Sequence, residues 1–129
     1  MTNGVFDLLH AGHVRFLEAA RELGDELVVA VNDDDSTRRL KPGRPINKLA
    51  DRMAVLKALR CVDLVLPFSE DTPERLIELM RPDVLVKGGD YTPEQISGRQ
   101  HAGKVLVLPY HAGHSTTGML NELAGPAAS

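Results

Sequence analysis

Short runs of β-branched and other apolar residues alternate along this chain with longer stretches in which apolar residues recur every three or four positions. The short runs lie at residues 27–31, 62–66, 84–86 and 105–108. Continuous apolar runs of this length are typical of strands that are buried on both faces of a sheet. Because helical stretches separate the strands, we predict parallel pairing through crossover helices, an α/β doubly wound parallel sheet.

The helical stretches are predicted from their apolar spacing and from the residues that begin or end helices. Gly24 is expected to end the first helix in a left-handed conformation, and Thr72 with Pro73 is expected to begin the third. The predicted segments are about 13–23, 49–59, 73–80, a short turn at 92–95, and 115–123. The stretch 32–48 shows no clear element and is predicted to be a long loop of the functional or disordered kind.

The length of 129 residues is enough for one core, so a single domain over 1–129 is predicted. The net charge is −3, the 15 basic residues form no block and tryptophan is absent, so no nucleic-acid partner is expected. No apolar stretch approaches the roughly 20 residues of a membrane span, and the start MTNGVFD resembles no secretory signal. With Cys61 as the single cysteine, we expect a cytoplasmic protein without a membrane partner.

The expected ligand site lies where the predicted strands end. In open parallel sheets, ligands bind outside the carboxyl ends of the strands. Polar residues and glycines crowd into most of the segments that follow the strands here. These segments are 3–13, 32–48, 67–72, 87–92 and 109–117.

Two histidines dominate the first of these segments. His10 and His13 lie three positions apart at a predicted helix start, with Gly12 between them. They would share one side of the helix, where free N–H groups and the positive dipole end favour an anion, and Gly12 would allow close approach. Imidazole donors there would stabilise a phosphoryl group under substitution. Two alternatives stay open: polar residues at an ordinary helix start, or a metal site completed by Asp7.

The last segment and the long loop add indications of the same kind. Ser115 and Thr116 would form a second anion-binding helix start, although hydroxyls there are more often plain N-caps. Lys41, Arg44 and Arg52 would supply positive charge above the site, and a solvated loop with scattered ion pairs is the alternative.

Glycines and acidic residues at two further strand ends allow several interpretations. Gly88 and Gly89 would permit close approach to a ring or ribose, and Asp90 could accept from a ribose hydroxyl, although a plain turn explains them equally well. The acidic run 33–35 could help to hold Mg²⁺, but three consecutive acids are more often solvated, so no metal ligand is assigned. The sequence has neither a G-x-x-x-x-G-K-[ST] motif nor G-x-G-x-x-G after a strand, which argues against P-loop enzymes and dinucleotide-binding dehydrogenases.

Taken together, the motifs resemble the HxGH nucleotidyltransferases, a cytidylyltransferase-like family with a Rossmann-like fold. The resemblance covers nearly the whole chain, and within the family it is closest to the adenylyltransferase domain of ADP-heptose synthesis. It implies transfer of AMP from ATP to a sugar 1-phosphate, with release of pyrophosphate. The matching residues are 2–7 (TNGVFD), 10–13 (HAGH), Arg52, 87–91 (KGGDY) and 115–117 (STT).

The resemblance also implies roles for individual residues. His10 and His13 would contact the triphosphate and stabilise the transition state, with Lys41 near the α-phosphate and Arg52 as a further catalytic residue. Ser115 and Thr116 would hold the β- and γ-phosphates. The remaining implied nucleotide-binding residues are Gly4, Val5, Phe6, Gly12, Gly88, Gly89 and Asp90.

Cofactor, partners and alternatives complete the expectations. The resemblance implies Mg²⁺ bound with the nucleoside triphosphate, and many family members are homodimers. The alternative substrates are CTP with glycerol 3-phosphate or a similar alcohol phosphate; relatives of that type carry an arginine near the position of Tyr110 or His111. A nucleotide-binding module without catalysis is an alternative of another class, and the intact His10 and His13 pair speaks against it.

Overall fold

A computed structural model describes residues 1–109 of the chain. Within these residues there are five strands and four helices, and helices separate the first four strands as the apolar runs predict, with two helices between the second and third strands. Two single 3₁₀ turns, at Pro93–Gln95 and Arg99–His101, lie between the last two strands. The elements are β1 (Thr2–Gly4), α1 (Ala11–Arg21), β2 (Val28–Asn32), α2 (Asp34–Leu40), α3 (Leu49–Ala58), β3 (Leu64–Phe68), α4 (Glu74–Met80), β4 (Val84–Gly88) and β5 (Lys104–Leu108).

All the strands pair in parallel, as predicted. β1, β2 and β3 form one ladder in the order β1-β2-β3, and β4 pairs with β5. Met1 connects the two ladders, because its amino group donates to the carbonyl of Val84 at 2.9 Å and its carbonyl accepts from the N–H of Val86 at 2.8 Å. The strands therefore lie in the order 3-2-1-4-5, which is the doubly wound arrangement of Rossmann-like folds. This confirms the predicted fold class.

The central strand is buried on both of its faces. Val29 and Val31 of β2 pack into one apolar cluster with Leu17 of α1 and Leu56 of α3. Ala30, between them, belongs to a second cluster on the other side of the sheet, with Ile77 of α4. All of these side chains are fully buried. A continuous apolar run is what such a two-sided position requires.

Three local predictions are wrong. The stretch 32–48 is not a loop throughout, because it contains helix α2. The side chain of Asp33 caps the start of this helix and accepts a hydrogen bond from the N–H of Ser36 at 2.8 Å. Gly24 does not end α1 in a left-handed conformation; the cap is Glu22, in right-handed geometry. Helix α4 begins at Glu74, one residue later than predicted, with Pro73 as its cap.

Other predictions are confirmed or lie outside the described residues. The turn at 92–95 forms, and the N–H of Thr92 donates to the side chain of Gln95 at 2.9 Å. The predicted helix at 115–123 lies outside residues 1–109. No helix in the described part of the chain is long and apolar enough to cross a membrane.

Candidate active site

A cleft with two lobes opens at the carboxyl ends of β1, β2 and β4. The inner lobe, of about 190 Å³, lies next to α1 and includes Phe6, His13, Arg44 and Gly88 in its lining. The outer lobe, of about 300 Å³, extends towards the start of α4 and the turn at Pro93–Gln95. Both lobes are lined by Asn3, Gly4, Val5, Lys41, Lys87 and Tyr91.

A larger cavity of about 560 Å³ lies at the opposite edge of the sheet. Its lining includes Leu23 after α1, and Asp83 and Val84 at the start of β4. Among the residues that the structure describes, it brings together neither a histidine nor a lysine. The two-lobed cleft is therefore the better candidate, because it lies at the edge where parallel sheets bind ligands and it gathers a histidine and two lysines whose pKa values are lowered.

His10 and His13, the two predicted histidines, together form the N-terminal cap of helix α1. Nδ1 of His10 accepts a hydrogen bond from the N–H of Gly12 at 3.0 Å, and Nδ1 of His13 accepts from the N–H of His10 at 3.3 Å. The ring centroids are 4.0 Å apart. Since each Nδ1 accepts, the neutral form of each ring carries its proton on Nε2. His13 lines the inner lobe and offers it an imidazole N–H donor. Nε2 of His10 is buried, and neither His10 nor Gly12, whose N–H is used within the cap, lines either lobe within the described residues.

Burial keeps the His13 imidazole neutral. Desolvation by burial, followed by the electrostatic influence of His10 and Lys41, lowers the pKa of His13 to about 4. The ring lines the inner lobe and stands edge-on to Phe6, with the centroids 5.9 Å apart. At neutral pH, His13 is therefore a fixed hydrogen-bond donor rather than a cation.

The low pKa of His13 predicts how the stability of the fold depends on pH. In the unfolded chain the ring takes up a proton near pH 6.5, whereas the folded chain resists protonation down to about pH 4. Protons therefore favour the unfolded state in this window, and the free energy of unfolding should fall by about 2 kcal/mol between pH 7 and pH 5. Urea unfolding at both pH values measures it. In the His13→Gln variant, the free energy of unfolding should fall less between pH 7 and pH 5, because the contribution of His13 is absent. An equal fall in the variant and the wild type would contradict a lowered pKa of His13.

Three cationic side chains border the inner lobe. Burial and then the charge of Arg44 lower the pKa of Lys41, and burial and then the charge of Lys41 lower the pKa of Lys87. The Lys87 ammonium also lies 5.4 Å from the centroid of the Tyr91 ring. An anion stabilises the charged form of a side chain most when that side chain is partly desolvated and close to other cations. The electrostatics of the cleft therefore favour a phosphate ligand.

Asp7 anchors the loop at residues 44–47, which carries Arg44 and follows Lys41. Its carboxylate is 1% exposed and accepts from Nε of Arg44 at 2.7 Å and from the N–H groups of Ile46 and Asn47 at 2.8 Å each. Burial alone would raise the pKa of Asp7, but these hydrogen bonds outweigh it and lower the pKa. The carboxylate is therefore ionised and fully engaged in holding the loop.

Arg52 is enclosed within the protein. Its side chain has no exposed surface, and its NH2 group pairs with the Asp34 carboxylate at 2.8 Å. The other donors reach the carbonyls of Val5, Asn32 and Asn47 at 2.7–2.9 Å. Arg52 thus connects the ends of β1 and β2 with the 44–47 loop. Arg52 therefore does not line the cleft to which Lys41 belongs. It stabilises the segments that form the cleft.

The predicted backbone positions fall into three groups. Gly4 and Val5 line both lobes, and Phe6 lines the inner lobe with its backbone in a left-handed conformation, φ 51°. Gly88 also lines the inner lobe, and Gly89 follows with φ 114°, a conformation that favours glycine. Asp90 is exposed and does not line either lobe within the described residues, and Ser115 and Thr116 lie outside residues 1–109.

The carboxylates near the cleft are already engaged. Asp7 holds the 44–47 loop, Asp33 caps α2, Asp34 pairs with Arg52, and Asp35 pairs with Arg38. Within residues 1–109, no group of three or more histidine, cysteine or acidic side chains is placed to hold a metal ion. The alternative of a metal site made by Asp7, His10 and His13 therefore has no support in the geometry.

Sequence reasoning missed the roles that the structure gives to several side chains at the cleft. Lys87 was part of a matching motif, and its position directly after the apolar run 84–86 was the available signal. The roles of Asp7 as a loop anchor and of Ser97 as a lining residue of the outer lobe depend on contacts between distant segments. No local pattern announces such contacts.

Comparisons with known proteins agree with this geometry. Residues 1–106 match the model of a family described as cytidylyltransferase-like. The bifunctional protein HldE of Nitrosococcus oceani is 60% identical over 126 residues, covering 94% of this chain and 27% of that protein. HldE of Sodalis glossinidius is 59% identical over 128 residues, covering 95% and 27%. The chain thus spans about a quarter of the length of the curated relatives it matches.

A solved structure extends the likeness to three dimensions. The lipopolysaccharide core biosynthesis protein from Thermoplasma volcanium superposes with a TM-score of 0.73 and 31% sequence identity. The match covers 86% of this chain and 95% of that one.

Proposed function

The chain belongs to the cytidylyltransferase-like family, and from this premise we propose that it transfers AMP from ATP to heptose 1-phosphate, giving ADP-heptose and pyrophosphate. The motifs at 47–52, 87–91 and 113–117, which resemble the adenylyltransferase domain of ADP-heptose synthesis, support this choice of substrates. So does the 56–60% identity to several HldE proteins. The same identities do not favour the alternative of CTP with glycerol 3-phosphate.

One observation carries the proposal: a neutral, fixed imidazole of His13 borders a small lobe together with Lys41, Arg44 and Lys87. A neutral N–H donor stabilises charge on a phosphoryl group without holding the product as tightly as another cation would. The surrounding cations compensate for the charge of the reacting phosphates. A site of this composition suits substitution at phosphorus, where positioning and electrostatics supply most of the catalysis.

The proposed step is a single in-line displacement at the α-phosphorus of ATP. An oxygen of the acceptor phosphate donates an electron pair to phosphorus and forms the new P–O bond. The bond from the α-phosphorus to the bridging oxygen breaks, and pyrophosphate leaves with that electron pair. Because the acceptor phosphate is already an anion, the reaction needs no general base, and His10 and His13 serve as donors.

The remaining predicted contacts enter the proposal on the strength of the resemblance. Ser115 and Thr116 would hold the β- and γ-phosphates. Gly88, Gly89 and Asp90 would border the ribose and base. The homodimer, the cytoplasmic location and the absence of nucleic-acid and membrane partners remain predictions.

Mg²⁺ fits this site only when it is bound to the nucleotide. Since the nearby carboxylates are engaged in the contacts described above, phosphate oxygens and water would hold the ion, a mode that Mg²⁺ commonly adopts. Its contribution when bound would be to neutralise charge on the departing pyrophosphate.

Pyrophosphate release tests the proposed function. The chain is assayed with ATP and with CTP, each combined with heptose 1-phosphate, a hexose 1-phosphate or glycerol 3-phosphate. We expect turnover with ATP and heptose 1-phosphate well above every other pair. A preference for CTP with glycerol 3-phosphate would establish the alternative, and nucleotide binding without turnover on any acceptor would indicate a non-catalytic module.

A further inference from the structure

The outer lobe differs in character from the inner one. Its walls carry uncharged polar side chains from separate segments, among them Thr72, Gln95 and Ser97. Its apolar lining comes from Leu40 and Ile96, together with Pro73. Hydroxyl and amide groups around a small apolar surface are the usual lining of a pocket for a neutral, hydroxyl-rich ligand.

Charge in the outer lobe is confined to its two ends. Among the described lining residues the cations are Lys41 and Lys87, and both stand at the border shared with the inner lobe. The carboxylate of Asp71 is paired with Nε of Arg39 at 2.9 Å. A triphosphate would find no further described cation along this lobe, whereas a ligand with one anionic end and a neutral remainder matches it.

Hydrogen bonds between the surrounding segments hold the walls of the lobe in place. Ser36 of α2 accepts from the side chain of Asn32 at 3.0 Å and donates to the carbonyl of Glu70 at 2.7 Å, which ties α2 to the segment before α4. On the other side, the N–H of Thr92 holds the amide oxygen of Gln95. The lobe is therefore formed before a ligand arrives, which reduces the entropy lost on binding.

We propose that the outer lobe binds the sugar of the acceptor, with contacts from Thr72, Gln95 and Ser97, and that Lys87 binds the acceptor phosphate. This inference rests on the proposed function, because it assigns the second substrate of the same reaction to a specific part of the cleft. The triphosphate then occupies the inner lobe beside His13, and the two reacting phosphates meet at the shared border.

The position of Lys87 explains why one residue suits this task. It lies at the end of β4 and lines both lobes, so it can contact a phosphate that enters from the outer side. Burial and then the positive charge of Lys41 lower the pKa of Lys87, and anions that bind at the border offset both effects. Each lysine can then serve one of the two reacting phosphates, which brings the attacking oxygen towards the α-phosphorus.

Equilibrium binding tests the role of Lys87 separately from turnover. Calorimetry measures heptose 1-phosphate, in the presence of α,β-methylene-ATP, and ATP by itself, on the wild type, Lys87→Met, Lys87→Arg and the control Lys104→Met on the exposed start of β5. We expect Lys87→Met to weaken heptose 1-phosphate binding about 10- to 100-fold and ATP binding less than about threefold. Lys87→Arg should recover part of the affinity, and Lys104→Met should resemble the wild type.

Two outcomes would overturn the assignment of Lys87. One is unchanged binding of heptose 1-phosphate by Lys87→Met, and the other is an equal loss of affinity for both ligands. Retained ATP affinity shows that the variant is folded. A wild type that binds heptose 1-phosphate through Lys87 without releasing pyrophosphate would refute the proposed catalysis and leave the binding site intact.

The sugar contacts have their own test. Ser97→Val and Thr72→Val should each weaken heptose 1-phosphate binding about three- to tenfold, because each removes one hydroxyl partner. Binding of inorganic phosphate should stay unchanged in both variants. If inorganic phosphate weakens in parallel, or if heptose 1-phosphate is unaffected, the sugar does not lie in the outer lobe.

Discussion

Replacing His13 by alanine is expected to lower kcat for pyrophosphate release by about 10²- to 10³-fold, the usual cost of removing one transition-state donor. The ring is neutral, its Nδ1 is fixed by the N–H of His10, and it borders the inner lobe. Its N–H on Nε2 is therefore preorganised towards a phosphate in that lobe. Steady-state kinetics should show the loss mainly in kcat, with a smaller change in the KM for ATP.

His10→Ala is expected to cause a loss of similar size, but this residue also caps helix α1. His10→Asn separates the two roles, since asparagine is a good N-cap that lacks the imidazole. The His10→Asn variant should therefore have the melting temperature of the wild type and the low kcat of His10→Ala. His101→Ala, on the 3₁₀ turn at Arg99–His101, is the matched control and should leave kcat unchanged. Near-normal turnover in both His10→Ala and His13→Ala would refute the catalytic assignment.

Replacing Arg52 by methionine is expected to lower the free energy of unfolding by about 3–5 kcal/mol. The change removes the Arg52 donors from the carbonyls of Val5, Asn32 and Asn47 and from the Asp34 carboxylate. Asp34 is 32% exposed and keeps the N–H of Leu49, and the Asn32 carbonyl keeps the hydroxyl of Thr37, so most of the cost falls on the carbonyls of Val5 and Asn47. Buried polar groups that lose their partner bear the full cost of desolvation. Urea denaturation followed by circular dichroism measures the difference.

Arg38→Met on helix α2 is the matched control for Arg52. Arg38 also pairs with an aspartate, Asp35, but its side chain is 58% exposed, so the loss should stay below about 1 kcal/mol. If Arg52→Met instead has the unfolding free energy of the wild type but loses activity, the supporting role is wrong. Arg52 would then act on the ligand, as the family resemblance implies.

The sheet could be predicted from the sequence because its signal is local. The run at 27–31 is apolar without interruption, and β2 needs that because Val29 and Ala30 face different apolar clusters. Helix α2 escaped prediction because its seven residues, DDSTRRL, contain a single apolar side chain and no apolar stripe. Its stability comes from the Asp33 cap, from acidic residues in its first turn and from basic residues in its last turn. That charge pattern was legible in the sequence.

The candidate site was predictable only in part. The spacing of His10 and His13 shows that the two side chains share one side of a helix start, and the structure brings them together. The burial of Arg52 was not predictable, since its partners come from three segments whose relative positions depend on the complete fold. Lys41 and Lys87 likewise line one cleft only because the complete fold places the end of α2 and the end of β4 at the same edge of the sheet.

A crystal structure with α,β-methylene-ATP and heptose 1-phosphate would test most directly whether this cleft joins the two substrates. We predict a phosphate oxygen of the nucleotide within about 2.7–3.2 Å of Nε2 of His13. The same complex should place Ser115 and Thr116 against the outer phosphates, and Lys87 against the phosphate of the sugar. A nucleotide bound at the opposite edge of the sheet, or a triphosphate without contact to His10 and His13, would contradict the account.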